Sequence, residues 1–232
     1  MTDQAGRRIV PRTEMKTLGF IPRRADITRA AFREHYETQH APLALRHIRV
    51  FAKYVRNHVV HALPREPGFD CLPEFWFDTP EATATIGAWL ASPAGEVLRQ
   101  DEARFMDRAR IASCTVRERL LFGPERTVES GVTRKLGLAL TRGASGAPPE
   151  FEARVTDFAV SVRRRNEGSI LRISLDLPLD PLQAALPLHA LISLWPRTPD
   201  ATLDIPPCDA ALGTLTVLTL DAVETPPRAL RD

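Results

Sequence analysis

The sequence predicts an α+β protein built from two β-α-β-β-α-β halves that pack sheet to sheet. Three observations carry that prediction: an internal repeat at a spacing of 119 residues, the same order of strand-like and helix-like stretches in each half, and a polar Gly- and Pro-containing break from Gly123 to Gly131. Shifted by 119 without gaps, 16–83 matches 135–202 at 12 of 68 positions. Trp76-Phe-Asp-Thr-Pro-Glu-Ala-Thr83 then falls on Trp195-Pro-Arg-Thr-Pro-Asp-Ala-Thr202, Lys16 on Lys135 and Phe32 on Phe151. The expected domains are 1–122, which holds the chemistry, and 132–225, a degenerate copy.

In the first half, Lys16 to Ile21 is a short apolar strand. Asp26 or Thr28 then caps a helix with Phe32, Tyr36, His40 and Leu43 along one face. Pro42 should bend or break it near His40. Val50–Val60 is rich in aromatic and β-branched residues and reads as a strand. Pro64, Pro67 and Gly68 turn the chain into a third strand, Leu72–Phe77. Thr79-Pro80 opens a second helix, interrupted around Pro93 and ending near Met106, before a closing strand at Ile111–Phe122. The second half repeats this at Lys135–Thr141, Pro149–Arg165, Ser169–Leu177, Leu188–Trp195 and Leu215–Val223, its second helix shortened to Asp200–Leu212 or lost. This is the ferredoxin-like plan twice over. One such sheet needs a cover for its bare face, and a second half supplies it.

Composition narrows the class of function. The 232 residues are 44% hydrophobic and 26% charged, with a formal net charge of +2, so no basic nucleic-acid footprint is present. Only three of the 31 basic residues are lysine (Lys16, Lys53 and Lys135). No apolar run approaches the ~20 residues of a membrane span. Three scattered cysteines, Cys71, Cys114 and Cys208, form no metal or redox motif and fit a reducing cytoplasm. No histidine–carboxylate spacing calls for zinc or non-haem iron, and no phosphate-cradling glycine motif is present. The expectation is a cytoplasmic protein without metal or cofactor, acting on a small molecule.

Five of the six histidines lie before residue 62. Here the chain resembles a known family. Lys16-x-x-Gly-Phe with Arg23-Arg24, then Phe32-Arg-Glu-His-Tyr-x-x-x-His40-Ala-Pro-Leu43, Tyr54-Val-Arg-Asn57-His58, Phe69-Asp70-x-x-x-Glu74-Phe-Trp-Phe-Asp78 and Asp101-Glu-x-x-Phe105-x-Asp107 resemble the EthD family. That family belongs to the dimeric α/β-barrel superfamily. The resemblance runs from about 16 to 122, and 132–225 joins it only through the repeat. It implies an intramolecular dimeric α/β barrel, as a monomeric pseudo-dimer or a homodimer of such chains. It also implies a cavity between sheet and helices for a hydrophobic or aromatic substrate, without fixing one reaction. Haem-binding relatives exist in the superfamily, and one axial histidine would suffice for them.

His40 is the leading catalytic candidate. An imidazole on a face shared with Phe32 and Tyr36 is partly desolvated and suits proton transfer near neutrality; the bland reading is a histidine at a helix end broken by Pro42. His35, five residues earlier, should sit about 140° around the helix, facing solvent and unable to share a ligand with His40. Tyr54, Arg56 and His58 share one face of their strand and Asn57 the other, so a bulge would be needed to bring Tyr54 and Asn57 together. Glu74, flanked by aromatics and sharing a face with Trp76, is an acid–base candidate unless an arginine claims it. The expected catalytic set is His40, Tyr54 and Glu74, with Tyr36, Asn57, His58 and Trp76 binding substrate. Under the 119-residue shift His40, Tyr54, His58 and Glu74 fall on Ala159, Ile173, Leu177 and Ser193, so only one half keeps its polar groups. The chemistry expected is cofactor-independent acid–base catalysis on an enolisable aromatic or polyketide-like substrate: decarboxylation, cyclisation, dehydration or isomerisation. Cofactor-free oxygenation and non-catalytic ligand binding are the alternatives.

Overall fold

In the computed structural model, which describes residues 15–125, 128–143, 147–180 and 186–231, eight antiparallel strands close into one barrel. The first 14 residues of the 1–122 span, residues 126 and 127 of the expected linker, and 144–146 and 181–185 of the second half lie outside the described residues. The first half runs β1 (Met15–Phe20), α1 (Arg29–His35), a π-helical turn (Tyr36–His40), α2 (Ala41–His47), β2 (Phe51–Leu63), β3 (Cys71–Phe77), α3 (Glu81–Ala91), α4 (Glu96–Phe105) and β4 (Ala112–Phe122). The second runs β5 (Val132–Thr141), α5 (Pro148–Arg165), β6 (Ile170–Pro178), β7 (Ala190–Pro196) and β8 (Thr214–Glu224), followed by α6 (Pro227–Arg231). Each half contributes four neighbouring strands, β4-β1-β3-β2 and β8-β5-β7-β6. Two seams, β2–β8 and β4–β6, join them, so every strand is paired on both sides and no sheet edge is left open.

The 119-residue spacing holds in three dimensions. β3 and β7 cover 71–77 and 190–196, and the starts of α1 and α5 and of β2 and β6 are equally spaced. Leu18 pairs with Glu74 as Gly137 pairs with Ser193. The bulge between Phe51 and Lys53 recurs between Ile170 and Arg172. The spacing fails only at the last strand, because 197–213 forms no helix. Pro199, Pro206 and Pro207 interrupt that stretch, and Leu203, Ile205 and Leu212 pack from it onto the sheet where the helix would lie. Between the halves, Gly123 takes φ +86 where a Cβ would meet the Leu171 carbonyl oxygen at 2.2 Å, so only glycine turns there.

Strand alternation sorts side chains into two cores. Leu18, Val59, Leu72, Val116, Leu191, Leu218 and Leu220 fill the barrel, while Phe32, Tyr36, Phe51, Tyr54, Phe77 and Phe105 lie between the first sheet half and its helices. Inside the barrel, beside the leucines, a charged cluster crosses both halves. Glu74 receives Lys16 Nζ at 3.0 Å and Lys135 Nζ at 2.6 Å, and Lys16 also reaches Asp176 at 2.8 Å and Glu118 at 2.8 Å. The two ammonium groups lie over Trp76 and Trp195, 4.7 and 4.9 Å from the ring centroids. Asn57 donates to Glu74 at 2.7 Å. Asp176 stands 119 residues after Asn57, so the two halves put an acid and an amide at matching places.

Removing one partner of such a cluster strands the others. Lys16→Met is expected to cost about 3–5 kcal/mol in urea unfolding, since Asp176 and Glu74 lose a buried counter-ion. Burial pushes the Asp176 carboxyl up to about 7 against the pull of Lys16. The folded protein therefore binds this proton more tightly than the unfolded chain does. The group's contribution to stability falls as pH rises from 3.8 through about 7, then levels. Asp176→Asn should flatten that part of the stability–pH curve; an unchanged slope would refute the assignment.

Candidate active site

One irregular turn brings the candidate residues of the first helix layer together. Thr28 caps α1 by accepting the Ala31 N–H at 3.1 Å, while Asp26, the other expected cap, pairs with Arg24. Pro42 has no N–H to give the Thr38 carbonyl, and its ring crowds that oxygen in a regular helix. The chain answers by widening: the Ala41 N–H bonds to the Tyr36 carbonyl, and the helix passes through the π turn without ending. Residues five apart stack in such a turn. The expectation of His35 and His40 on different faces is therefore corrected. His35 Nε2 and His40 Nδ1 each lie 2.9 Å from Asp101 of α4, on its two separate oxygens, and His35 is mostly covered, its ring 4.4 Å from that of Phe105.

Asp101 is buried, and burial alone would raise its carboxyl. The hydrogen bonds from His40 and His35 outweigh that and hold it below the usual aspartate value. An ionised carboxylate only accepts, so both ring nitrogens facing it carry protons. His40 is thereby fixed with Nδ1–H toward Asp101, leaving Nε2 as the basic nitrogen with no partner among the described residues.

His40 lines a cavity of about 260 Å³ between the helices and the sheet. One wall is aromatic. Tyr54 and Phe75 stack at 4.9 Å and 14°, Phe51 and Phe75 at 5.3 Å and 25°, and Phe77 continues the series. Ile86, Leu90, Leu98 and Met106 form the opposite side. Polar atoms are few. Tyr54 donates to the Tyr36 hydroxyl at 3.3 Å, and burial pushes both phenols up, so they stay protonated. Glu102, next to Asp101, is raised by burial, an effect that His40 and Arg108 only partly offset.

The sheet divides the residues singled out in the sequence. Tyr36, His40 and Tyr54 meet at this cavity. His58 lies on the same face but is turned to Glu37 at 2.6 Å, which Arg56 also holds at 2.9 Å. Burial lowers the His58 imidazole against the opposing pull of Glu37. Glu74, Trp76 and Asn57 point into the barrel, where lysines rather than an arginine hold Glu74. β2 has bulges before Lys53 and after Val59 but none between Tyr54 and Asn57, so strand parity keeps those two apart. Asp101 and Glu102 had been noted only as part of a motif. Their signal was a carboxylate pair one turn before the helix end, facing a helix that carries two histidines.

In the second half the equivalent positions are apolar. Ala159 and Ile173 stand where His40 and Tyr54 do, surrounded by Phe158, Val162, Leu194 and Leu212. Among the described residues no three His, Cys, Asp or Glu side chains are placed to hold a metal ion. The cavity beside His40, about 260 Å³, is below the ~300–1,000 Å³ that drug-sized ligands occupy.

Residues 24–109 match the EthD domain model. No curated protein matches the chain. Among solved structures, an anthrone oxidase-like protein aligns with a TM-score of 0.55 at 9% identity, over 90% of this chain and 91% of that one. A chlorite dismutase from Candidatus Nitrospira defluvii aligns at 0.45 and 8% identity, over 96% and 95% of the two chains. An EthD family protein from Bacillus halodurans C-125 aligns at 0.34 and 22% identity, over 44% of this chain and 95% of that chain. The fold is that of the dimeric α/β barrels, closed here within one chain, and no helix is long and apolar enough to cross a membrane.

Asp101→Asn tests the bridge. A carboxamide cannot accept from both rings, so the variant should lose about 1–3 kcal/mol in urea unfolding. Imidazole nitrogen NMR should show His40 as the Nδ1–H tautomer in the parent protein and as a mixture in the variant.

Proposed function

With an EthD domain over 24–109 as the premise, we propose that the protein is an enzyme moving a proton on an enolisable aromatic or polyketide-like substrate bound against the wall of Tyr54 and Phe75. The single observation that carries this reading is the His40–Asp101 pair opening onto an apolar cavity. Asp101 holds the imidazole in the tautomer that leaves Nε2 basic and stabilises the imidazolium once a proton arrives, as carboxylate partners of catalytic histidines do. Desolvation suits the task, because the imidazole meets the substrate rather than bulk water. The Tyr36 phenol, which accepts from Tyr54, supplies a donor for the enolate oxygen whose charge develops as the C–H bond breaks. Glu74, Trp76 and Asn57 act in the barrel and stay outside this mechanism.

We also read 1–122 as the working domain and 132–225 as its copy, retained for closing the barrel. The polar candidates vanish from the copy while the Trp and Thr-Pro positions persist.

Hydrogen–deuterium exchange at the α-carbon of 2-tetralone, a bicyclic enolisable ketone, reports the proposed step without knowledge of the natural substrate. The parent protein should accelerate exchange above buffer. His40→Ala should lower the rate by about 10²–10⁴ while ligand affinity changes little. Binding without any acceleration would make this a binding protein and not an enzyme.

A further inference from the structure

We propose that this cavity selects a neutral planar ligand of about two fused rings over the corresponding carboxylate, with Glu102 as the residue that enforces the choice. The proposal rests on the cavity described above and narrows the substrate class of the proposed reaction. Among the described lining residues there is no lysine and no arginine. Of the cations beside the lining, Arg108 is engaged with Glu102 at 3.2 Å, and Arg56, 4.7 Å from the Tyr54 ring centroid, is held by Glu37 at 2.9 Å. His40 offers no free countercharge either, since any imidazolium is already matched by Asp101 at 2.9 Å. A carboxylate entering here would give up part of its hydration and meet two phenols, one histidine, one acid and the hydroxyls of Thr17, Thr83 and Ser113, with no cation among the described lining residues. Burying an unpaired charge costs far more than burying a hydroxyl or carbonyl that finds a donor.

Glu102 sharpens the discrimination. Burial raises its carboxyl against the pull of His40 and Arg108, and when protonated it donates a hydrogen bond to a carbonyl or phenol oxygen. A carboxylate ligand beside it would compete for that proton, and the two acids repel when both ionise. The aromatic wall adds shape. Rings inclined by only 14–25° to one another present a face that a flat ligand extends by stacking. Of the reactions open to a proton-moving site, this removes decarboxylation of a free acid. It leaves cyclisation, dehydration or isomerisation of neutral phenolic or keto compounds.

The test is the fluorescence-detected affinity of the full-length protein for 2-naphthol and 2-naphthoate at pH 7. The parent protein should bind the naphthol at least tenfold more tightly. Glu102→Gln, which keeps the shape and removes the acid, should narrow that ratio severalfold, and Glu102→Lys, which supplies a cation, should invert it. Circular dichroism melts confirm that each variant is folded. Equal affinity of the parent for both probes, or a ratio unmoved in both variants, overturns the proposal. Binding of neither probe overturns it too. A tenfold preference in a protein that leaves 2-tetralone exchange at the buffer rate keeps the charge selection and discards the catalytic reading.

Discussion

Glu74 is held by a lysine from each half of the chain, and the rest of the architecture depends on that grip. Lys16 comes from β1 and Lys135 from β5, strands separated in the barrel by β3, β2 and β8, yet both end on one carboxylate. Buried ion pairs are weak sources of net stability. Their effect here is on register. A slip of β3 by one residue would push Glu74 out among Phe51 and Tyr54 and draw Phe75 into the barrel, leaving two lysines without their partner. Holding Glu74 inward therefore also holds Phe75 and Phe77 outward, where they build the cavity wall.

The sequence made the scaffold legible because strands and repeats are local and periodic. The Trp76 and Trp195 segments, the alternation in β2 and the break after Gly123 were enough to place all eight strands. The parity argument separating Tyr54 from Asn57 also holds in the structure. The site was only half legible. His40, Tyr36 and Tyr54 stood out by face and composition, but helix periodicity assumes a regular helix, and one proline invalidates it over a single turn. That turn moves His35 to the same carboxylate as His40. Asp101 escaped notice because its partners lie some 60 residues away, and no spacing rule links two helices that meet only in the fold. Glu74 misled for a related reason: alternation says which residues share its face, not which side of the sheet holds the cavity.

The two halves also spend their apolar surface differently. Filling the helix–sheet space, as Phe158, Val162, Leu203 and Leu212 do in the second half, recovers dispersion contacts that an open cavity forfeits. A void of about 260 Å³ in an apolar interior costs on the order of several kcal/mol where water does not fill it. The half without a second helix thus fills the place of Tyr54 and His40 with aliphatic groups, and the half with both helices keeps room there for a ligand.

Closure within one chain changes what a substitution means. In a barrel assembled from two identical subunits, every mutation enters twice, and any change that fills one cavity fills the other. Here residue 40 and residue 159 are separate letters of one gene. The two positions are therefore free to differ, an imidazole at one and a methyl group at the other. The β2–β8 and β4–β6 seams make this asymmetry permanent, since they fix which half meets which in every molecule. Each chain carries one cavity lined by His40, in a barrel closed by the chain's own second half.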